Sequence, residues 1–305
     1  MSSNNESGIV EITHASGARA QVHLYGATVT AFYTAEEPTR NVLFVSDKAA
    51  LDGSKPIRGG IPLVFPIFGS APGFPNHGLV RTSTKWTLAQ LGPQQQGGDA
   101  IAPTVAKFAL TSDDATRAVW AADFELVFEV KLFASSLVTA LHVRNTSSSE
   151  ISFQALLHTY LTVDDVRDGG VQVEGLKGLT YTDKVAGTSG NTEDRAVLTF
   201  EKETDSVYAN APSEIVVRIR GPTGKNHVVT IEKSAFLDND AVSGAQPSDA
   251  VVWNPWIDKA KGMSDFGDDE YLRMVCVEPG RVSEHQKLGP GKVYTLQQVI
   301  KNAAL

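Results

Sequence analysis

Four side chains scattered along this sequence have the types and settings that could do chemistry: Arg58, Arg81, His158 and Glu278. Arg58 opens the stretch Arg58-Gly-Gly-Ile-Pro-Leu-Val-Phe-Pro-Ile-Phe-Gly69, and Arg81 closes Asn76-His77-Gly-Leu-Val-Arg81. Pro56, Pro62 and Pro66 exclude a central strand, because each removes a ladder donor. Ile61, Leu63, Val64, Phe65, Ile67 and Phe68 exclude a plain surface loop. A shaped, half-buried segment remains, which presents two guanidiniums. Such a pair suits a doubly charged oxyanion, for instance a phosphate monoester gripped by bidentate hydrogen bonds. Structural ion pairs explain the two arginines equally well.

His158 and Glu278 are the candidate proton carriers. With residues 151–163 read as one strand, Phe153, Ala155, Leu157, Thr159 and Leu161 face one way. Ser152, Gln154, Leu156, His158 and Tyr160 face the other. The first set reads as core; the second, with amide, imidazole and phenol in line, reads as a ligand-facing surface. A satisfied structural histidine is the competing reading. Glu278 ends an apolar run, Met274-Val-Cys-Val-Glu278, with Pro279-Gly280 behind it. It is either a solvated strand end or a placed base whose pKa partial burial would raise. His77 stands near Arg81 and could help line a pocket. His14, His23, His142, His227 and His285 need only structural or surface roles. No HExxH or CxxC spacing, phosphate-binding GxxxxGK[ST] loop or GxSxG elbow occurs, so metal, nucleotide and serine-hydrolase chemistry all fit poorly.

The elements that must position these groups are strands. Residues 18–24, 105–110, 124–133, 137–143, 215–219, 228–231 and 271–277 are rich in β-branched and aromatic side chains, with turn residues between most of them. No helical period persists beyond about two turns. Residues 92–99 and 182–195 read as exposed loops, and 1–7 as a flexible terminus. The expectation is an all-β protein, one large antiparallel β-sandwich over 1–305 with functional groups on one concave face. A chain of 305 residues that is 42% hydrophobic can bury such a core. The lone Cys276 forbids an internal disulfide and fits a reducing, cytoplasmic setting. No signal peptide or spanning segment is read, and a net charge of −8 argues against nucleic acid. Any phosphate site must therefore be a local positive pocket on a negative surface.

Seven motifs occur together in one order: Arg58-Gly-Gly-Ile-Pro, Phe65-Pro-Ile-Phe-Gly, His77-Gly-Leu-Val-Arg81, Leu157-His158-Thr-Tyr160, Thr204-Asp205-Ser-Val-Tyr208, Val252-Trp-Asn-Pro255 and Val277-Glu278-Pro-Gly280. In these, from about residue 8 to residue 300, the chain resembles the glucose-6-phosphate 1-epimerases, or hexose-6-phosphate mutarotases, of the aldose 1-epimerase superfamily. The resemblance implies a galactose mutarotase-like supersandwich and cofactor-free, metal-free interconversion of the α and β anomers of a hexose 6-phosphate. It implies a monomer whose partner is a small-molecule sugar phosphate, with no nucleic acid or membrane partner. Position by position, it makes His158 the general acid, Glu278 the general base and Asp205 a ligand of sugar hydroxyls. Arg58 and Arg81 would contact substrate, including its phosphate, with Asn76 and His77 beside them; relatives often carry Gln where Asn76 stands. Trp253, Asn254 and Trp256 would shape the pocket wall, and Lys259 or Lys261 could add a phosphate contact. The acid and base are expected to face each other across a cavity of pyranose width. A non-catalytic carbohydrate-binding sandwich, or a β-sandwich glycosidase using Glu278 with another carboxylate, are the alternatives.

Overall fold

Alternating burial builds the framework. In Phe124–Leu132 the side chains of Phe124, Leu126, Phe128, Val130 and Leu132 are buried while most of their neighbours reach solvent, the pattern of a strand with one face on a core. The computed structural model describes residues 8–93 and 102–305. Among them, strands form three sheets of three, eight and ten strands, each paired antiparallel. The eight-stranded sheet runs in the order Thr188–Thr192, Thr180–Asp183, Thr204–Tyr208, Asp249–Asn254, Met274–Leu288, Ile151–Leu157 and Leu63–Val64, with Tyr160–Thr162 also paired to Met274–Leu288. The ten-stranded sheet is centred on Val293–Ala304, which pairs with Ser136–Asn145 on one side and His227–Leu237 on the other.

The two large sheets stack face to face over an aromatic core. Phe65 and Phe153 come from the eight-stranded sheet and its rim, Phe124 and Tyr294 from the other. Phe65 lies 5.2 Å from both Phe124 and Phe153, and Phe153 lies 5.6 Å from Tyr294. The expected all-β antiparallel sandwich is what forms, since period-2 patterning leaves each sheet one apolar face to cover. Among the described residues, helix is confined to Asp114–Val119, Trp256–Lys261 and three 3₁₀ turns. Asp113 caps the first helix, accepting from the Thr116 amide at 2.9 Å while its own amide donates to the Thr116 hydroxyl.

Some boundaries differ from the sequence reading. Residues 182–195 are no loop: Thr180–Asp183 and Thr188–Thr192 form a hairpin, whose turn is set by the Asp183 carboxylate accepting from the amides of Val185 and Ala186, both at 2.9 Å. With neither face buried in the core, the hairpin has no hydrophobic alternation to read. The run 271–277 is split: Glu270–Arg273 is a 3₁₀ turn and the strand begins at Met274. The buried Glu270 carboxylate is responsible, for it accepts from the amides of Gly267 (2.6 Å) and Asp47 (2.7 Å) and curls the backbone first. Strands Ile9–Thr13, Thr28–Tyr33 and Val293–Ala304 add to those expected. Gly92 and Pro93 end the strand Thr87–Pro93, while the rest of 92–99 and the terminus 1–7 lie outside the described residues.

Replacing Phe65, fully buried between the sheets, by Ala should cost roughly 3–5 kcal/mol in urea unfolding. A cost under about 1 kcal/mol would mean that the inter-sheet aromatic cluster does not tie the layers together.

Candidate functional site

The prolines of the first motif explain themselves once their neighbours are known. The segment 60–66 flanks Ile151–Leu157 and offers mainly acceptors: the carbonyls of Gly60, Pro62 and Pro66 receive the amides of Tyr160 (2.9 Å), His158 (3.0 Å) and Gln154 (2.7 Å). A proline has no amide to give, and here none is asked for. Gly60 is obligatory, because a Cβ there would meet the Val29 carbonyl at 2.0 Å and its φ is +69°. The strand read as 151–163 is interrupted at His158-Thr159, yet the alternation continues through the break. Thr159 points into the sandwich, where its hydroxyl and the Gln298 and Thr139 side chains form a buried network at 2.9–3.1 Å. His158 therefore points to the opposite face.

Register fixes what it meets there. Gly280 opposes Leu156 and Cys276 opposes Tyr160, so Glu278 opposes His158 on the neighbouring strand. His158 Nδ1 and Glu278 Oε1 are 3.4 Å apart, with His158 8% and Glu278 1% exposed. They share one face of one sheet, side by side, and do not confront each other across a pyranose-wide gap. The physical reason is that two residues paired across antiparallel strands have Cβ atoms only about 5 Å apart. Neither His158 Nδ1 nor Glu278 Oε2 has a hydrogen-bond partner among the described residues. The imidazole is held in place by rings: Tyr160 stacks on it at 4.8 Å with a 10° interplanar angle, and Trp253 and His77 meet it edge-on at 6.0 and 5.7 Å.

The pair lies at the floor of a cavity of about 470 Å³, a size suited to a small metabolite. Among the sequence candidates, Arg58, Asn76, His77, His158, Asp205 and Glu278 line it; Trp253 forms part of its wall. Arg81 does not reach the lining. It donates to the Asn76 carbonyl at 2.7 Å; burial and, among nearby charges, the cation of Arg58 bring it down to about 10, so it stays charged at neutral pH. Arg58 is engaged by both oxygens of Asp265 and by the Tyr160 hydroxyl, all at 3.3 Å. Asn254 and Trp256 are not wall residues: Asn254 is fully buried and ties down the carbonyls of Tyr271 (2.8 Å) and Met274 (2.9 Å) and the Trp256 amide (2.9 Å). Gln154 likewise serves the scaffold, clamping the Phe68 amide to the Val282 carbonyl. Lys259 lines the cavity and Lys261 does not.

His77 is fixed in one tautomer. Its ring Nδ1 accepts the Gly69 amide at 3.2 Å while its own amide donates to the Gly69 carbonyl at 2.7 Å. The proton then sits on Nε2, and burial with the charges of Arg81, Lys184 and Arg58 pulls the pKa down to about 3. His77 is thus a permanently neutral donor. Burial also pushes Glu278 well above the usual carboxylate range, helped by Asp205. It pulls His158 well below 6.5, helped by His77 and the arginines. Desolvation penalises each charged form, so burial favours an uncharged carboxylic acid beside an uncharged imidazole.

Lys184, Asp265, Phe68, Ser70 and Met263 were not legible as site residues. Lys184 sits in the hairpin read as a loop, and Asp265 in an irregular stretch; only their neighbours in space give them a role. Cys276 lies beneath the pair, its ligand atom within 4.8 Å of those of His158 and Glu278, all three buried. Cysteine, imidazole and carboxylate together suit a thiophilic divalent ion. Two protons would have to leave first, that of the Glu278 carboxyl and that of a thiol which burial and then Glu278 hold well above its usual range.

A carboxyl whose folded pKa is raised contributes stability below its unfolded pKa and loses it as pH rises through the folded value. Glu278→Gln cannot ionise, so its Tm advantage over the wild-type protein should grow as pH rises from about 4.3. Thermal scans in which this variant gains nothing with pH would show that Glu278 folds without a desolvation cost.

The chain has recognisable relatives. The family model described as aldose 1-epimerase matches residues 8–301. A curated protein of Cenchrus ciliaris, "Putative glucose-6-phosphate 1-epimerase", is 36% identical over 282 residues, covering 90% of this chain and 80% of its own. One of the same name from Escherichia coli K12 is 30% identical over 287 residues, covering 93% and 87%. A solved "putative mutarotase" from Salmonella typhimurium superposes with a TM-score of 0.75 at 25% identity, covering 96% of this chain and 90% of that one. A galactose mutarotase related enzyme from Lactobacillus acidophilus shares the fold, with a TM-score of 0.70 at 12% identity over 97% of both chains. The sandwich, its register and this extent of likeness establish that the chain is an enzyme of the aldose 1-epimerase family.

Proposed function

We propose that the protein interconverts the α and β anomers of hexose 6-phosphates, chiefly glucose 6-phosphate, and that His158 and Glu278 carry the protons. The observation that bears the weight is the 3.4 Å adjacency of an imidazole and a carboxyl, both buried at the cavity floor. Ring opening of a hemiacetal needs the anomeric hydroxyl to lose a proton while the ring oxygen gains one. Both oxygens hang on the same carbon, so the two proton carriers must be close neighbours. Carriers spread across the width of the sugar would not reach them together.

The pair carries one mobile proton in all. With it on His158, Glu278 takes the O1 proton, His158 gives its own to O5, the C1–O5 bond breaks and the open-chain aldehyde forms. The pair is then left as neutral imidazole and carboxylic acid, the form that burial favours. After rotation about C1–C2, O5 attacks the other face of the aldehyde. It returns its proton to His158, while Glu278 protonates O1. Atoms and charge balance over the cycle. Each positioned proton-transfer group contributes on the order of 10²–10⁴ in rate.

Around this pair, Arg58, Asn76, His77 and Asp205 are read as holding the sugar. His77 donates from Nε2, and Asp205 accepts hydroxyls with a pKa that burial raises. Arg81 adds positive potential from behind the wall. The substrate class is supported by the names of the two curated relatives. The reading further takes the chain as one mutarotase-like unit, monomeric and cytoplasmic; among the described residues, no helix is long and apolar enough to cross a membrane.

Exchange NMR between the anomers of glucose 6-phosphate tests it. The wild-type protein should accelerate exchange, and His158→Ala and Glu278→Gln should each slow it by at least about 10² while keeping the native circular dichroism. Binding without faster exchange would instead mark a carbohydrate-binding module. The rate should also stay flat between about pH 6 and 8, because a coupled pair with oppositely displaced pKa values keeps a single proton over a wide window. A steep rise or fall centred near 6.5 would mean that an ordinary, solvated histidine controls the reaction.

A further inference from the structure

Three ligand-type side chains converge at the floor of the cavity, and the proton transfers use only two of them. Cys276 and Glu278 are two residues apart on Met274–Leu288 and so share one face of the sheet. His158 stands opposite Glu278 on the adjacent segment of chain. Their ligand atoms all lie within 4.8 Å of one another, and all three residues are buried.

Each of the three donors is uncommitted. Cys276 is a free thiol, fully buried. His158 Nδ1 and Glu278 Oε2, on residues only 8% and 1% exposed, have no hydrogen-bond partner among the described residues. Buried polar atoms are normally satisfied, so two orphans beside a thiol call for a reason. Proton transfer accounts for the imidazole and the carboxyl, but nothing in that chemistry needs sulfur.

Charge decides what fits. As neutral imidazole, carboxylic acid and thiol, the cluster has no net charge and two removable protons. A divalent cation that replaces both protons leaves the buried cluster neutral, so desolvation does not oppose the exchange as it opposes a lone charge. Thiolate and imidazole select a soft or borderline ion over magnesium or calcium. The ion has a way in, because His158 and Glu278 line the cavity. Nearby cations are held by acids of their own: Arg58 pairs with Asp265 at 3.2 Å, and Lys184 has Asp205 at 4.0 Å.

We propose that His158, Cys276 and Glu278 form a binding site for one thiophilic divalent cation of the zinc class, and that the bound ion switches the enzyme off. The inhibition rests on the reading that His158 and Glu278 carry the protons of anomer exchange; the ion site itself does not. An ion there occupies the lone pairs that take and give those protons, so the ring neither opens nor closes. Ion and sugar contend for the same floor, which makes the inhibition competitive and reversible by a chelator. Cys276 supplies affinity for the ion without touching the sugar.

The experiment uses the chelator-treated protein, with Co²⁺ as spectroscopic probe and Zn²⁺ as inhibitor. The wild-type protein should bind one equivalent of Co²⁺ with a thiolate-to-cobalt charge-transfer band in the near ultraviolet. Zn²⁺ should raise the apparent KM for glucose 6-phosphate in anomer exchange, and Mg²⁺ at the same concentration should not. In Cys276→Ser and Cys276→Ala the band should vanish and the inhibition constant for Zn²⁺ should rise at least about tenfold, each variant being read against its own metal-free rate. Equal Zn²⁺ inhibition in both cysteine variants, or Co²⁺ binding without the sulfur band, would put the ion elsewhere and overturn the site. A sulfur band together with unimpaired exchange would overturn the switch. A wild-type protein that does not accelerate exchange of glucose 6-phosphate would remove the anomerase reading and the switch, while the Co²⁺ band would still decide the ion site.

Discussion

The site depends on one constraint: an imidazole and a carboxyl are held side by side, out of water, by a strand pairing neither can escape. Gly280 opposite Leu156 and Cys276 opposite Tyr160 set His158 and Glu278 opposite each other on adjacent strands. The sandwich supports that pairing from below, through the buried Thr159–Gln298–Thr139 network that joins the two sheets directly behind the histidine. Above, the stacked Tyr160 ring and the edges of Trp253 and His77 hold the imidazole without engaging its nitrogens. Aromatic walls fix orientation and leave Nδ1 free for a proton transfer, which a structural hydrogen bond would have consumed.

The same arrangement is costly to the fold. Two buried polar atoms of the pair lack partners, and an unpaired buried polar group typically costs about 1–3 kcal/mol. The surroundings meet that cost with ordinary devices. The proline segment 60–66 supplies carbonyls where His158 and Tyr160 need acceptors, and the small apolar group of Val64, Leu156, Val207, Val251 and Val282 packs beside the floor on the same side of the sheet. The cationic side of the cavity is also balanced locally, since Asp265, Glu203 and the Asn76 carbonyl each occupy one cation. A chain of net charge −8 can thus hold a small positive pocket.

Much of this was readable in the sequence, and the rest fails for identifiable reasons. Period-2 runs such as Phe124–Leu132 announce the sandwich, because one face of each strand must be apolar. His158 stood out on the mixed face of its strand, in line with Gln154 and Tyr160, and Glu278 at the end of an apolar run. Their adjacency did not, since a register between positions 158 and 278 leaves no local trace. The hairpin around Lys184 was taken for a loop because both of its faces are polar. Asn254 and Trp256 looked like wall residues, but a buried amide that closes the Trp256 turn has the same appearance in one dimension as one that faces a ligand. Arg81 carries its motif and stands a layer behind the cavity, a distinction made only by the fold of residues 69–81.

The most direct test of the central claim is the protonation of Glu278 itself, followed by carbon-13 NMR of its side-chain carboxyl in the free protein, alone and with His158→Ala. The account predicts a carboxyl that is still protonated at neutral pH and titrates well above the ordinary range, with a titration altered when His158 is removed. A carboxyl that ionises near 4.3, as in an exposed glutamate, and is indifferent to His158 would contradict a shared, desolvated proton and the mechanism built on it.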